Sequence, residues 1–236
     1  MKRLSLMLLV VLNAGFVKGQ QLSPQPGFPT VGTVSITDLR LPAAALKELL
    51  AYQQYFSSGD LQNSVRHLEK AIQIYPAIPA AHHNLGVCYL RQKAFEKAII
   101  AFRDASNMDP GFIDPVLGLS SALFLLGRYS QAETAARRAH EMNPENPAAC
   151  YLLGRTLVAE GSDSGETLDL LRTSSAKFPV AHLALASLLL KRHATQEAVA
   201  ELREYLPHSV NKERASVACI IEKLTEHLIG SQCVFQ

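Results

Sequence analysis

The sequence predicts an all-α chain: a solenoid of about five helix–turn–helix units closed by a C-terminal helix. Three observations carry that expectation. A proline recurs at Pro76, Pro110 and Pro144, each 34 residues after the last. Small residues keep the same phase at Ala71, Ala105 and Ala139, and again at Ser64, Ala98 and Ala132. A further small position runs through Gly86, Ser120 and Gly154. Positions that stay in phase over three periods mark one supersecondary unit repeated. Such a unit buries its apolar faces only against its neighbours.

The unit Pro79–Phe112 shows why those residue types are needed. Leu85, Gly86 and Tyr89 fall on one face of a first helix, and Gly86 has no side chain, so a second helix can cross closely over it. Ala98, Phe102 and Ala105 stand at i, i+4 and i+7, one apolar stripe along the second helix. Asp109-Pro110 ends that helix, because proline lacks the amide and clashes with the preceding turn. The skeleton Asn84-Leu85-Gly86, Tyr89, Ala98, Phe102, Ala105 and Pro110 resembles the tetratricopeptide repeat. The resemblance implies a right-handed α-solenoid that works by presenting a groove to a protein or peptide partner, without catalysis.

In chain order, Met1–Gly19 reads as a secretory signal peptide. Lys2 and Arg3 make its basic start, Leu4 to Val17 its apolar stretch, and Val17-Lys18-Gly19 precedes a cleavage point. The alternative, a membrane anchor, needs roughly 20 apolar residues, and this stretch is shorter and carries Ser5, Asn13 and Gly15. Residues 20–42 form an extended linker rich in proline and glycine, with a short strand as one option for Val31–Ile36. Leu41-Pro42 opens the first helix.

The solenoid then covers residues 43–206, in units Ala45–Ile78, Pro79–Phe112, Ile113–Asn146, Pro147–Phe178 and Pro179–Leu206. The first is degenerate, with Ala51 and Tyr52 where the repeat has Leu-Gly. The fourth has a longer turn, Gly161–Gly165, and carries Thr167 and Ser174 in place of alanines, which predicts local irregularity before the fifth. Residues 207–236 form a capping helix and tail, the helix running from Asn211 to Ile229 with Gly230 as its stop. Val217, Ile221, Leu224 and Leu228 make its apolar stripe. In all, the pattern predicts eleven helices and no substantial sheet.

Composition narrows the function. Forty-eight per cent apolar residues support a sizeable core and argue against global disorder. The formal charge is +2, and without Lys2, Arg3 and Lys18 the remainder holds 20 bases against 21 acids. Such a balance offers nucleic acid no electrostatic footprint. Four cysteines suit an exported chain. Cys88 and Cys150 lie on first helices with a whole unit between them, too far apart to link. Cys219 and Cys233 stand across the end of the last helix, where pairing is open.

His82 and His83 are adjacent and point about 100° apart on a helix, so they chelate one ion poorly. His82 and His182 read as partly buried packing residues. Gly118-Leu119-Ser120-Ser121-Ala122 lies inside a helix, so Ser120 is a packing residue rather than a nucleophile. No catalytic residue, metal site or cofactor is assigned.

By the resemblance, the groove is lined from the first helices at positions 2, 5, 9 and 12 or 13 of each unit, of which 5, 9 and 12 share one face. Here those that share the face read Leu49, Gln53, Phe56; His83, Val87, Leu90; Leu117, Ser121, Phe124; Tyr151, Arg155, Val158; and Leu183, Ser187, Leu190. The candidate partner-binding residues are His83, Val87, Leu117, Ser121, Phe124, Tyr151 and Arg155. Only Asn84 matches any part of the Lys, Asn and Arg clamp that some such domains use for a C-terminal carboxylate.

The reading is therefore an exported interaction scaffold, secreted or periplasmic, that takes an apolar peptide or helix and meets membranes only through a partner. A cell-envelope assembly or secretion factor is the alternative. An enzyme with an unrecognised site is the third reading.

Overall fold

The fold comes from a computed structural model that describes residues 41–232. The expected signal peptide, most of the expected linker, the strand option at Val31–Ile36, and Cys233 lie outside the described residues. Within them the chain is eleven α-helices and one 3-10 turn, with no strand. The helices are α1 (Ala43–Ser57), α2 (Leu61–Ile74), α3 (Pro79–Arg91), α4 (Phe95–Met108), α5 (Ile113–Leu125), α6 (Tyr129–Met142) and α7 (Pro147–Ala159). They continue as α8 (Gly165–Ser175), α9 (Ala181–Lys191), α10 (Thr195–Tyr205) and, after the turn Leu206–His208, α11 (Asn211–Gln232). The all-helical solenoid expected from the 34-residue phase is the fold observed.

Two local devices repeat the helix–turn–helix unit. Each first helix ends in the same cap, with a backbone N–H reaching a carbonyl five residues back. Asp60 to Tyr55, Ala94 to Tyr89, Arg128 to Leu123, Ser162 to Leu157 and Ala194 to Leu189 all measure 2.9 Å. The residue before each donor is left-handed: Gly59, Lys93, Gly127, Gly161 and His193 have φ of 81°, 60°, 77°, 88° and 61°. Glycine takes that conformation without a Cβ clash and so suits the cap. Gly59, Lys93, Gly127 and Gly161 make a second 34-residue row, and His193 follows 32 residues later; glycine gives way only at Lys93 and His193. The second helices end before proline. Tyr75, Asp109 and Asn143 turn extended, with φ of −143°, −134° and −153°. A following proline disfavours the helical region for the residue ahead of it.

Two compact parts result, one ending at Thr156 and one beginning at Leu157, so the division falls inside α7. In the first, consecutive helices from α1 to α6 pack pairwise and α3 also touches α5. Phe102 of α4 is fully buried. A Cβ placed on Gly86 would meet its ring at 2.6 Å, and one placed on Gly118 would meet it at 2.5 Å. The close approach expected at Gly86 is thus made by an aromatic ring, and a second glycine on the next first helix completes the slot. Ser120, buried on α5, donates to the carbonyl of Ala132 at 3.1 Å and ties α5 to α6, which is a packing role.

In the second part, α8 packs on α9, α9 on α10 and α10 on α11. Ser164 caps α8, accepting from the Thr167 amide. Thr167 and Ser174 are buried at the small-residue positions, the latter donating to Leu171 at 2.9 Å. The α11 stripe is Val217, Ile220 and Leu224, with Ile221 half-buried beside it. The expected register is off by one at Ile221, because the face is chosen by Leu202 and Tyr205 of α10 across the contact. Residue Gly230 does not stop α11, which runs to Gln232.

Methyl groups at the Phe102 slot overpack it, at roughly 1–3 kcal/mol, against about 1 kcal/mol that alanine gains over glycine in a helix. Gly86→Ala with Gly118→Ala is expected to destabilise by about 2 kcal/mol or more in urea unfolding. In a Phe102→Leu background the same pair should be neutral or stabilising. A stabilised double mutant with Phe102 intact would show that the ring moves freely.

Candidate partner-binding face

The first helices α1, α3, α5 and α7 supply the candidate face. Of the seven candidates, His83, Val87, Leu117, Ser121 and Tyr151 are buried, while Phe124 and Arg155 are half-buried. His83 sits between the rings of Phe102 and Phe112, at centroid distances of 5.6 and 5.3 Å. Val87 packs with Leu90, Phe102, Ala122 and Leu123. Both side chains therefore help to pack α3 against its neighbours. The other positions 5, 9 and 12 divide similarly: Leu49, Leu90, Leu183 and Ser187 are buried, Phe56, Val158 and Leu190 half-buried, and Gln53 exposed.

Two of the half-buried candidates come together with Tyr151. The Arg155 guanidinium lies over the Phe124 ring of α5 at 4.2 Å and 5.4 Å from the Tyr151 ring centroid. It also hydrogen-bonds the Tyr151 side chain, one turn back on α7. Burial pulls this guanidinium below its ordinary range, and Tyr151 opposes the shift. The Nε of Arg155 is buried without a hydrogen-bond partner. Phe124 also meets Tyr129 in a tilted ring contact at 5.3 Å. A flat, partly desolvated aromatic and guanidinium surface can hold apolar and π-faced groups and can donate to an acceptor.

An equivalent pair was not among the candidates. Arg91, the last residue of α3, lies over the Phe56 ring of α1 at 4.3 Å. It stands at position 13 of its unit, which the resemblance allows as an alternative to position 12. Reading the residues at 12 alone passed over it.

Several histidines on neighbouring helices are paired with carboxylates. His67 on α2 meets Glu48 on α1 at 2.6 Å and stacks on Tyr55, and it holds the Glu48 carboxyl below its ordinary range. His182 on α9 meets Glu201 on α10 at 2.6 Å. His82 contacts the Pro76 carbonyl at 3.1 Å and stands 3.8 Å from Asp104. Both His82 and His182 are thus partly buried and bonded across helices. Among the described residues, no group of three or more His, Cys, Asp or Glu side chains is placed to hold a metal ion. No helix among them is long and apolar enough to cross a membrane. Away from the first-helix face, an open cleft of about 380 Å³ lies across α2, α3 and α4, lined by Glu69, Ile72, Tyr89, Ile100 and Asp104 among others.

Comparison with known proteins adds the family of the repeats. Tetratricopeptide-repeat families match residues 53–93, 79–112 and 113–156. The human RanBP2-like and GRIP domain-containing protein 3 is 24% identical over 186 residues, 76% of this chain and 11% of its own length. The chain thus spans about a tenth of that relative. Among solved structures, MamA from Desulfovibrio magneticus is 14% identical, covering 71% of this chain and 96% of its own, with a TM-score of 0.64. The first repeat domain of RPAP3, bound to an HSP90 peptide, is 22% identical, covering 52% of this chain and 99% of its own, with a TM-score of 0.50. At these identities the likeness is one of fold.

The cysteines give a direct check of the packing. Cys88 and Cys150 are free and buried. Burial pushes the Cys88 thiol up to about 12, and the Cys150 thiol donates to the Pro144 carbonyl at 3.2 Å. Cys219 is exposed, and its pairing with Cys233 falls outside the described residues. Thiolates are the reactive form, so iodoacetamide at about pH 8 should label Cys88 and Cys150 only after unfolding. Native labelling of either, read by mass spectrometry, would contradict the packing of α3 or α7.

Proposed function

We propose, for a chain whose residues 53–156 carry tetratricopeptide repeats, that it is an exported, non-enzymatic interaction scaffold. Its first-helix face receives an apolar peptide or helix of a protein partner. The observation that carries this reading is the Phe124–Arg155–Tyr151 constellation, a half-buried aromatic and guanidinium surface bridging α5 and α7. Aromatic and Arg side chains are the usual anchors of interfaces, and they gain most where water is already partly excluded. The RPAP3 domain bound to an HSP90 peptide supports a peptide as the kind of partner. The basic start and short apolar run of residues 1–19 support export to the periplasm or exterior.

Truncating a central aromatic anchor typically costs about 2 kcal/mol or more. Phe124→Ala with Tyr151→Ala should therefore weaken binding of a partner recovered by cross-linking by at least roughly tenfold. Tyr151 is buried, so helicity and the urea midpoint are measured on the same sample. Normal binding by a folded double mutant would move the site to the cleft across α2, α3 and α4 or to α11. For export, N-terminal sequencing of envelope or secreted material should begin near Gln20. Recovery of Met1 would count against a cleaved signal.

A further inference from the structure

Two guanidinium groups on the first-helix side are stacked on phenyl rings. Arg91 on α3 covers Phe56 on α1, and Arg155 on α7 covers Phe124 on α5. Each pair bridges one first helix to the next, and both arginines are half-buried. Among the described residues neither joins an ion pair, whereas the histidines His67 and His182 each hold a carboxylate. A ring face attracts the cation but satisfies none of its five N–H donors. Nε of Arg155 is buried with no acceptor at all. A carboxylate is the group that fits such a fork, taking two parallel hydrogen bonds from it.

Spacing sets what kind of carboxylate ligand can use both. The stacks stand on α3 and α7 with α5 between them, and packed helices lie roughly 8–10 Å apart, so about 20 Å separates the two cations. An extended peptide rises about 3.3 Å per residue, which makes that span about six residues. The side chains nearest the line between them, Val87, Leu90 and Leu117, are apolar. A single chain-terminal carboxylate can meet only one of the two sites.

Resting on the interaction role above, we propose that this face takes an extended, otherwise apolar peptide of a partner protein with two acidic side chains about six residues apart. One acid pairs with Arg91 and the other with Arg155. Residues 1–42 of this chain cannot serve both sites, since Asp38 is their single acid. Asp38 also lies only a few residues before α1, about 15 Å of chain from it, whereas Arg155 is three first helices away.

The test selects random peptides of about sixteen residues, displayed between folded flanks so that no terminus is free, on the immobilised full chain. The wild type should enrich apolar sequences with Asp or Glu at two positions about six apart. Replacing either acid by its amide in a synthetic winner should raise Kd about tenfold. Arg155→Glu should turn one of the two acidic positions into Lys or Arg and keep the other, and Arg91→Glu should do the converse. Circular dichroism establishes that each variant is folded, and Arg155→Gln, which should merely erase one preference, replaces a variant that is not.

Apolar winners without the acidic pair would overturn this proposal and leave the scaffold role standing. The absence of winners, or winners indifferent to both arginines and to Phe124→Ala, would overturn both. Competition by a synthetic peptide of residues 20–40 at the affinity of a winner would give the face to this chain's own segment. A concentration-dependent dimer lost on Arg155→Glu would give it to a second copy. Either result overturns the proposal.

Discussion

Phe102 stands in a slot that two glycines on two different helices leave open, and much of the first compact part depends on it. Any side chain at Gly86 or Gly118 would occupy the space of its ring. The ring touches His83, which in turn lies against Phe112 at the end of the same repeat. One aromatic thus sets the separation of α3 and α5 while filling the space between them. Interiors pack at the density of organic crystals, so a slot defined from both sides leaves little freedom in that separation. The positions of Leu117 and Phe124 along α5 follow from it.

The backbone does the complementary work of keeping every unit in phase. A left-handed residue closes each first helix through the same 2.9 Å bond, and a proline closes the second helices of the first three units. These devices act within a few residues and are indifferent to the neighbouring unit. Within the first part their repetition brings successive first helices together, and only then can Arg91 reach Phe56 and Arg155 reach Phe124. A pre-formed row loses less conformational freedom on binding than a loop would, which favours affinity without adding contacts.

Half-buried charge is handled in two ways. Glu48–His67 and Glu201–His182 pair across adjacent helices, so each of these carboxylates has a partner. Arg91 and Arg155 rest on ring faces instead, which accept none of the hydrogen bonds a guanidinium can donate; Arg155 has beside them the hydrogen bond to the Tyr151 side chain. The paired groups explain helix packing. The arginines have capacity beyond what packing uses, and that capacity is the natural place to seek recognition.

Period, helix count and unit boundaries were determined by the sequence alone, because they depend on local rules. Proline stops a helix, a left-handed cap wants glycine, and small residues at i, i+4, i+7 make one stripe whatever lies opposite. What the tertiary structure decided is which side chains meet between units. His83 and Val87 occupy positions that the repeat pattern assigns to an open face, yet both are buried, since Phe112 and the cluster around Phe102 reach them. Gly118 matters as much as Gly86 but stands two residues before the in-phase small position Ser120. On α11 the buried face runs through Ile220, chosen by Leu202 and Tyr205 of α10 rather than by its own periodicity. Arg91 stands at position 13, an alternative the repeat allows, and its role became visible only as a contact with Phe56 of the preceding unit. Each of these outcomes is fixed by atoms more than a helix away in sequence, and the free energy of a packed contact belongs to both partners, not to the pattern of either one.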